Sequence, residues 1–303
     1  MIVMKIYWIK FITFLETLLS MLVYNFHKKI VGVQSKNNIK YKTQNATRYN
    51  KFNVHYRVED KIKKAKVPVV IYFHGGGWAS YSKDIFTTLG RRIASFGTVV
   101  VSCNYGLAPK YKLDDIMADA AAAVKYAREI AEEYGADPDK IYFAGDSAGA
   151  HISAMLTVFA GQNKLGLGAI KGCIKGLILY YGVYNLETAL ESRFPNIKVY
   201  ISACLNGKLG TKEFEDNMKK FSPALYDVSS FPPVLLASGA VDKLHQSQSL
   251  MFSRELKKAG VKVKEVFFDD KEYKAMHAFM TIDGISTNIE VLEKTQDFIR
   301  STL

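Results

Sequence analysis

The chain has 303 residues with 49% hydrophobic content, enough to bury a full core, and one α/β domain of this length is ordinary. Its formal charge of +12 is spread along the chain and accompanies no helix-turn-helix pattern and no aromatic-basic RNA motif. Nucleic acid is therefore excluded as a partner, and attraction to anionic lipid is the simpler use of the charge. Cys103, Cys173 and Cys204 are odd in number and widely spaced, which excludes a disulfide framework.

The first predicted element is a hydrophobic N-terminal helix within residues 1–30. Met1 to Phe26 is rich in Ile, Leu, Met, Phe, Tyr and Trp, with Lys5, Lys10 and Glu16 as its only charges. From Phe11 to Phe26 a helix would span about 24 Å, short of the roughly 30 Å hydrocarbon core of a bilayer. Lys10, Thr13, Thr17 and Ser20, beside Glu16, make a narrow polar stripe, as on a helix with one wet or protein-facing side. A signal anchor, an in-plane membrane helix and a lid over the catalytic domain all fit this pattern. A removed signal peptide fits least, since no small-residue cleavage site follows. His27, Lys28 and Lys29 flank the segment as interfacial anchors do, which favours membrane association, with a cytoplasmic location otherwise. Residues 31–66 read as a basic linker running into the first strands, with a glycosylation sequon at Asn45-Ala46-Thr47.

From residue 67 onward, strand-like runs alternate with helical ones. Strands are predicted at Pro68 to Phe73, Thr98 to Cys103, Ile141 to Ala144, Gly176 to Tyr181, Pro233 to Ser238 and Val261 to Phe268. Helices are predicted at Leu113 to Tyr134, Ala150 to Ala160, Gln246 to Ala259 and Ser286 to Ile299. The alternation implies an α/β fold, a mostly parallel sheet with helices on both faces. About fifty residues separate two of the later strands, far more than an ordinary connection, so residues 185–225 read as a small cap insertion. Phe194, Tyr200, Phe214 and Phe221 are candidates to line a pocket under it or to pack the insert itself.

Two strings carry the chemistry. His74-Gly75-Gly76-Gly77-Trp78 follows the first of these strands, and Gly145-Asp146-Ser147-Ala148-Gly149 sits between a strand and a small-residue helix. A Gly-x-Ser-x-Gly string alone is weak in a chain with 21 glycines, but the strand-turn-helix context is what a nucleophile elbow requires. Glycines flank such a serine because a Cβ there would collide with the neighbouring strand and helix. The oxyanion formed when Ser147 attacks a carbonyl needs preorganised N–H donors, and the amides of Gly76, Gly77 and Ala148 are the candidates. His74, Gly75 and Trp78 are read as the loop's support.

A hydroxyl at its free pKa is a poor nucleophile, and the acid and base that serve such an elbow follow it as Asp or Glu and then His. Beyond the elbow helix only His245 and His277 remain. His245 opens a predicted helix three residues after Asp242, whereas His277 lies in a loop before the last helix and is the better base. Asp242, just past a parallel strand, is the expected orienter, and Asp269 and Asp270 read as a solvated turn. His151 is expected to pack or hydrogen-bond locally. No metal-site spacing, Walker string or dinucleotide fingerprint occurs, so neither metal nor cofactor is expected.

Together with Asn104-Tyr105-Gly106-Leu107-Ala108-Pro109, these strings, Asp242 and His277 resemble the α/β-hydrolases of the hormone-sensitive-lipase and carboxylesterase group, from about Val67 to the C-terminus. The resemblance implies an α/β-hydrolase fold and a cofactor-free serine esterase acting on carboxylic esters, with a small-molecule or lipid ester as substrate. By motif it implies Ser147 as nucleophile, Asp242 and His277 as its partners, and Gly76, Gly77 and Ala148 as the oxyanion hole. Gly106 and Lys110 stand where the group often has Arg and Glu. Ala150 replaces a further glycine, a pattern also similar to aryl-formamidases and prenylcysteine methylesterases. The charged run Asp269 to Lys274 lengthens the approach to His277. A formamidase or amidase with the same three residues, and a non-catalytic hydrolase-fold binding protein, are the alternative functions.

Overall fold

The structure, a computed structural model, describes residues 4–8, 11, 28–41, 46–269 and 275–303. Most of the predicted N-terminal helix, His27, the sequon asparagine Asn45 and Asp270 to Lys274 lie outside the described residues. Residues 4–8 and 11 are helical, with Ile6 buried in the main core. Among the described residues, no helix is long and apolar enough to cross a membrane.

Eight described strands form one sheet: β1 (Val33–Lys40), β2 (Lys51–Arg57), β3 (Val67–Phe73), β4 (Val99–Cys103), β5 (Ala136–Asp146), β6 (Ile174–Tyr180), β7 (Val234–Gly239) and β8 (Val263–Phe268). Their spatial order is β1-β2-β4-β3-β5-β6-β7-β8. β2 runs antiparallel to β1 and β4, and all other pairs are parallel. The first two strands occupy the stretch read as linker and first strands. β1 is largely polar because it is an edge with only one neighbour, whereas β2 lies inside the sheet and is buried along its length.

Side chains alternate across the sheet and feed two cores. Along β3, Val69, Ile71 and Phe73 enter one core, and Val70 and Tyr72 enter the other. The first core is closed by α3 (Leu113–Glu129), α4 (Ala148–Gly161) and α8 (Met251–Lys258), the second by α2 (Thr87–Ala94) and α9 (Ser286–Ser301). A short α1 (Val58–Lys63) follows β2. The predicted helix Leu113 to Tyr134 ends earlier and finishes as a 3-10 turn, Ala131–Tyr134. The helix predicted from Gln246 begins as a π-turn, His245–Leu250, before α8.

Between β6 and β7 the chain forms three short helices, α5 (Leu186–Glu191), α6 (Ile197–Cys204) and α7 (Lys212–Lys220). Asn185 caps α5 by accepting from the Glu187 and Thr188 amides, and Thr211 caps α7 by accepting from Phe214 N–H. Phe214 and Phe221 are buried and anchor this insertion to the first core.

Candidate active site

The strand register brings the two glycine strings together. Phe73 of β3 pairs with Gly145 of β5, so the loop after β3 and the turn after β5 leave the sheet side by side, at the carboxyl ends of its central strands. The approach is close enough that a Cβ on Gly149 would strike the Phe73 carbonyl, and one on Gly145 would strike the Gly149 backbone. Ser147 occupies the sharp turn at φ 50°, ψ −116°, its N–H donating to the Tyr180 carbonyl at 2.9 Å. Such a backbone strains a residue that carries a Cβ, and it leaves the hydroxyl projecting at the N-terminus of α4.

Three side chains form one hydrogen-bonded line. Ser147 Oγ lies 2.8 Å from His277 Nε2, and His277 Nδ1 lies 2.7 Å from Asp242 Oδ2. Asp242 stands just past β7, its side chain buried and its second oxygen accepting the Leu244 amide at 3.0 Å. That bond fixes the carboxylate before the histidine meets it. The His277 imidazole is edged by two rings, Tyr181 at 4.9 Å and Phe194 at 4.6 Å between centroids. His245, the other candidate base, turns away and bonds Ser238 Oγ at 2.7 Å. Asp269 is exposed.

Gly76 and Gly77 adopt φ 107° and 58°, backbone that favours glycine. The Gly76 carbonyl accepts from the amides of Ala79 and Ser80 and from Ser80 Oγ, which holds the loop in its turn. Behind it, Asp146 Oδ1 accepts from Gly75 N–H at 2.8 Å and from Tyr72 hydroxyl at 2.7 Å. Burial pushes the Asp146 carboxyl up to about 6, against the pull of those two donors. His74 packs its ring on Tyr105 with centroids 4.4 Å apart, and the Tyr105 hydroxyl donates to the His74 carbonyl at 2.6 Å. Burial lowers the His74 pKa to about 4, so the ring is neutral. His151 does more than bond locally, because it reaches Trp78 and Phe221, each some seventy residues distant.

Gly106 leaves room for the Tyr111 ring, which a Cβ would strike. Buried Asp119 accepts from its amide at 3.0 Å. The loop after β4 is further held by Ala108 N–H bonding the Trp78 carbonyl at 2.9 Å. Backbone bonds thus tie it to the glycine loop.

Gly76, Gly77, Ala148, Ser147 and His277 all border one cavity of about 160 Å³. Its remaining wall is mainly apolar, with Val183, Phe194, Ile197, Tyr200 and Leu244. Of the four aromatics that were candidates to line a pocket or to pack the insert, Phe194 and Tyr200 border the cavity, while Phe214 and Phe221 pack the insertion. Tyr181 and Tyr72 were not legible as site neighbours. Only their strand-end positions hinted at it.

The chain is similar to the probable isoprenylcysteine alpha-carbonyl methylesterase of Oryza sativa subsp. japonica, 30% identical over 219 residues that are 69% of this chain and 52% of the relative. It shares 27% identity with an arylesterase of Saccharolobus solfataricus over 239 residues, 78% of this chain and 76% of that one. The chain spans about half the length of the curated plant relatives it matches. The inhibited esterase B of Lactobacillus rhamnosis has the same fold, with a TM-score of 0.85 at 18% identity over 99% of this chain and 96% of that one. A family model described as the alpha/beta hydrolase fold matches residues 70–281. With more than half its length so matched, the chain belongs to the alpha/beta hydrolase fold family.

Proposed function

We propose that this protein is a serine carboxylesterase that cleaves small to medium carboxylic esters through an acyl-enzyme. The observation that carries the reading is the line Ser147–His277–Asp242, at 2.8 and 2.7 Å, opening on a small, mainly apolar cavity. His277 Nε2 takes the Ser147 proton as Oγ attacks the ester carbonyl, and Asp242 holds the proton on Nδ1 and steadies the imidazolium. The amides of Gly76, Gly77 and Ala148 receive the oxyanion, helped by the N-terminus of α4. The imidazolium then protonates the departing alkoxide, and water, deprotonated by the same nitrogen, releases the acid and restores Ser147. The esterase names of the rice and archaeal relatives support ester chemistry over amide chemistry.

Hydrolysis of p-nitrophenyl butyrate, compared with the matching anilide, tests this. Wild type should turn over the ester far faster and be labelled covalently by a fluorophosphonate, and Ser147→Ala should lose both. Normal ester turnover by Ser147→Ala would sink the assignment. In the same reading, helices α5 to α7 act as the cap over Ser147.

We further propose that the N-terminal helix lies on a membrane surface. Met4, Tyr7, Trp8 and Phe11 recur at helical spacing and are each more than half exposed, while Ile6 faces the core. Co-sedimentation with vesicles containing phosphatidylserine should be strong for wild type and weak for a Trp8→Ser, Phe11→Ser double variant. Equal binding by both would overturn the reading.

A further inference from the structure

A second hollow adjoins the site. An open trough of about 630 Å³ runs along the outside of the insertion, and it shares two wall residues with the inner cavity, Phe194 and Ile197. These two side chains are therefore the partition between the chamber at Ser147 and the trough. Ile197 is buried at the start of α6, fixed by the helix that carries it. Phe194 lies in the turn between α5 and α6, between Arg193 and Asn196, both at φ 58°. Of the two, only Phe194 is held by a turn, and its ring is only partly buried.

Size and proton geometry decide what this partition controls. The inner chamber, at about 160 Å³, matches a cavity of roughly 150 Å³ that accepts a benzene-sized molecule, so a long ester cannot be housed there whole. One arm has to pass the partition. The leaving alkoxide must sit within reach of His277 Nε2 to receive its proton, and the Phe194 ring lies against that same imidazole, 4.6 Å between centroids. The arm that departs past His277 is the arm that meets Phe194. Beyond the ring, Leu190 and Leu209 offer apolar surface in a trough whose other walls are Glu191, Arg193, Asn196 and Lys198.

The geometry points to Phe194 as the residue that sets the length of the alcohol arm, with the outer trough as the binding site for a longer apolar alcohol once the ring is out of the way. This inference rests on the esterase reading above. The ring stands between the chamber and the trough, and esters of short alcohols react without displacing it.

Two substrate series measured on the full chain test it: butyrate esters of ethanol, hexanol and octanol, and p-nitrophenyl esters from acetate to decanoate. Phe194 also packs on His277, so its loss lowers kcat for every substrate, and the informative quantity is the ratio of kcat/KM values within a series. Phe194→Ala should raise the octyl-to-ethyl ratio at least tenfold, mainly through KM, with Phe194→Leu intermediate. The order of acyl preference should stay as in wild type. Adding Leu209→Asp to Phe194→Ala should abolish the gain by replacing part of the trough's apolar wall with a carboxylate. An unchanged octyl-to-ethyl ratio in a folded Phe194→Ala variant overturns the inference, as does a gain confined to the acyl series. Failure of the esterase reading looks different: wild type would not hydrolyse even ethyl butyrate.

Discussion

Trp78 in the glycine loop donates its indole N–H to Nδ1 of His151 on α4 at 3.2 Å, the two rings meeting edge to face at 85°. Because Nδ1 accepts, the imidazole proton resides on Nε2, which donates to the Phe221 carbonyl at 2.7 Å. One neutral histidine thereby joins the glycine loop, the helix after Ser147 and the end of the inserted helices. The joint is internal and polar, so its strength depends on every partner being present.

Replacing His151 by Leu should cost about 2–4 kcal/mol at pH 8, because the Phe221 carbonyl and the Trp78 N–H both lose their partner in a buried place. Burial holds the His151 pKa down, to about 4 from an ordinary 6.5. A group depressed in the folded state contributes stability that is present above the unfolded pKa and is lost as pH falls through the folded one. Wild type therefore loses this contribution between pH 6.5 and 4, and the leucine variant has no such loss. Urea unfolding at pH 8 and pH 4.5 should show the gap between the two narrowing in acid, and a constant gap would contradict the assigned neutral tautomer.

At Asp242, exchange of one carboxylate oxygen for an amide nitrogen would set an N–H against His277 Nδ1 and favour the tautomer with its proton on Nε2, facing Ser147. Asp242→Asn should reduce kcat by about 10³–10⁴-fold with little change in KM, the size of effect such a swap has in serine triads. Circular dichroism melting should be nearly unchanged, since the Leu244 amide keeps its acceptor. A kcat within tenfold of wild type would remove Asp242 from the proposed mechanism.

The central strands and the line Ser147–His277–Asp242 were legible because each leaves a local mark: apolar runs of strand length, glycines where backbones collide, and chain order. β5 is longer than its apolar run Ile141 to Ala144, since Ala136 already pairs with Val67 and the polar stretch around Pro138 falls in the register shift before Ile141 meets Val69. His277 lies within hydrogen-bond reach of Asp242. The supports of the site were less legible. Tyr72 bonds Asp146 across 74 residues, and Phe194 reaches His277 from a separate helical insertion. Pairs of that kind impose no period and no turn chemistry on the sequence, so nothing local distinguishes them from ordinary core aromatics. The four candidate aromatics divided between pocket and packing for the same reason. Which ring faces the cavity depends on how α6 and α7 dock.

The Tyr200 ring of α6 lies directly on Gly77, where an added Cβ would meet it. Gly77→Ala also has to hold φ 58°, at about 1–2 kcal/mol for a residue with a Cβ. Esterase activity should fall by about 10²-fold or more as the loop shifts its amides. Tyr200→Ala alone should fall less than tenfold. In the double variant the clash is relieved, so part of the loss should be recovered, a coupling of about 1 kcal/mol in ΔΔG‡. Strict additivity in kcat/KM would show that the tyrosine and the loop act independently.

Asp146 supplies the clearest dependence on pH. Burial raises its carboxyl from 3.8 to about 6 in the folded protein. The sign follows from the direction: a raised carboxyl holds its proton more tightly when folded, so its stabilising contribution is complete below pH 3.8 and is lost as pH rises through about 6. Tyr72 moderates that loss, because its hydroxyl donates to the ionised oxygen that also anchors Gly75. Tyr72→Phe leaves the charged form one donor short and pushes the carboxyl higher still. The substitution should cost about 1.5–3 kcal/mol at pH 8, where a hydrogen bond to a charged group is lost, and about 1 kcal/mol at pH 5, where the acceptor is neutral. Thermal unfolding of both proteins at the two pH values reads this directly. A penalty equal at pH 5 and pH 8 would mean that Asp146 does not change its charge between them, and that the hydroxyl only fills space behind the glycine loop.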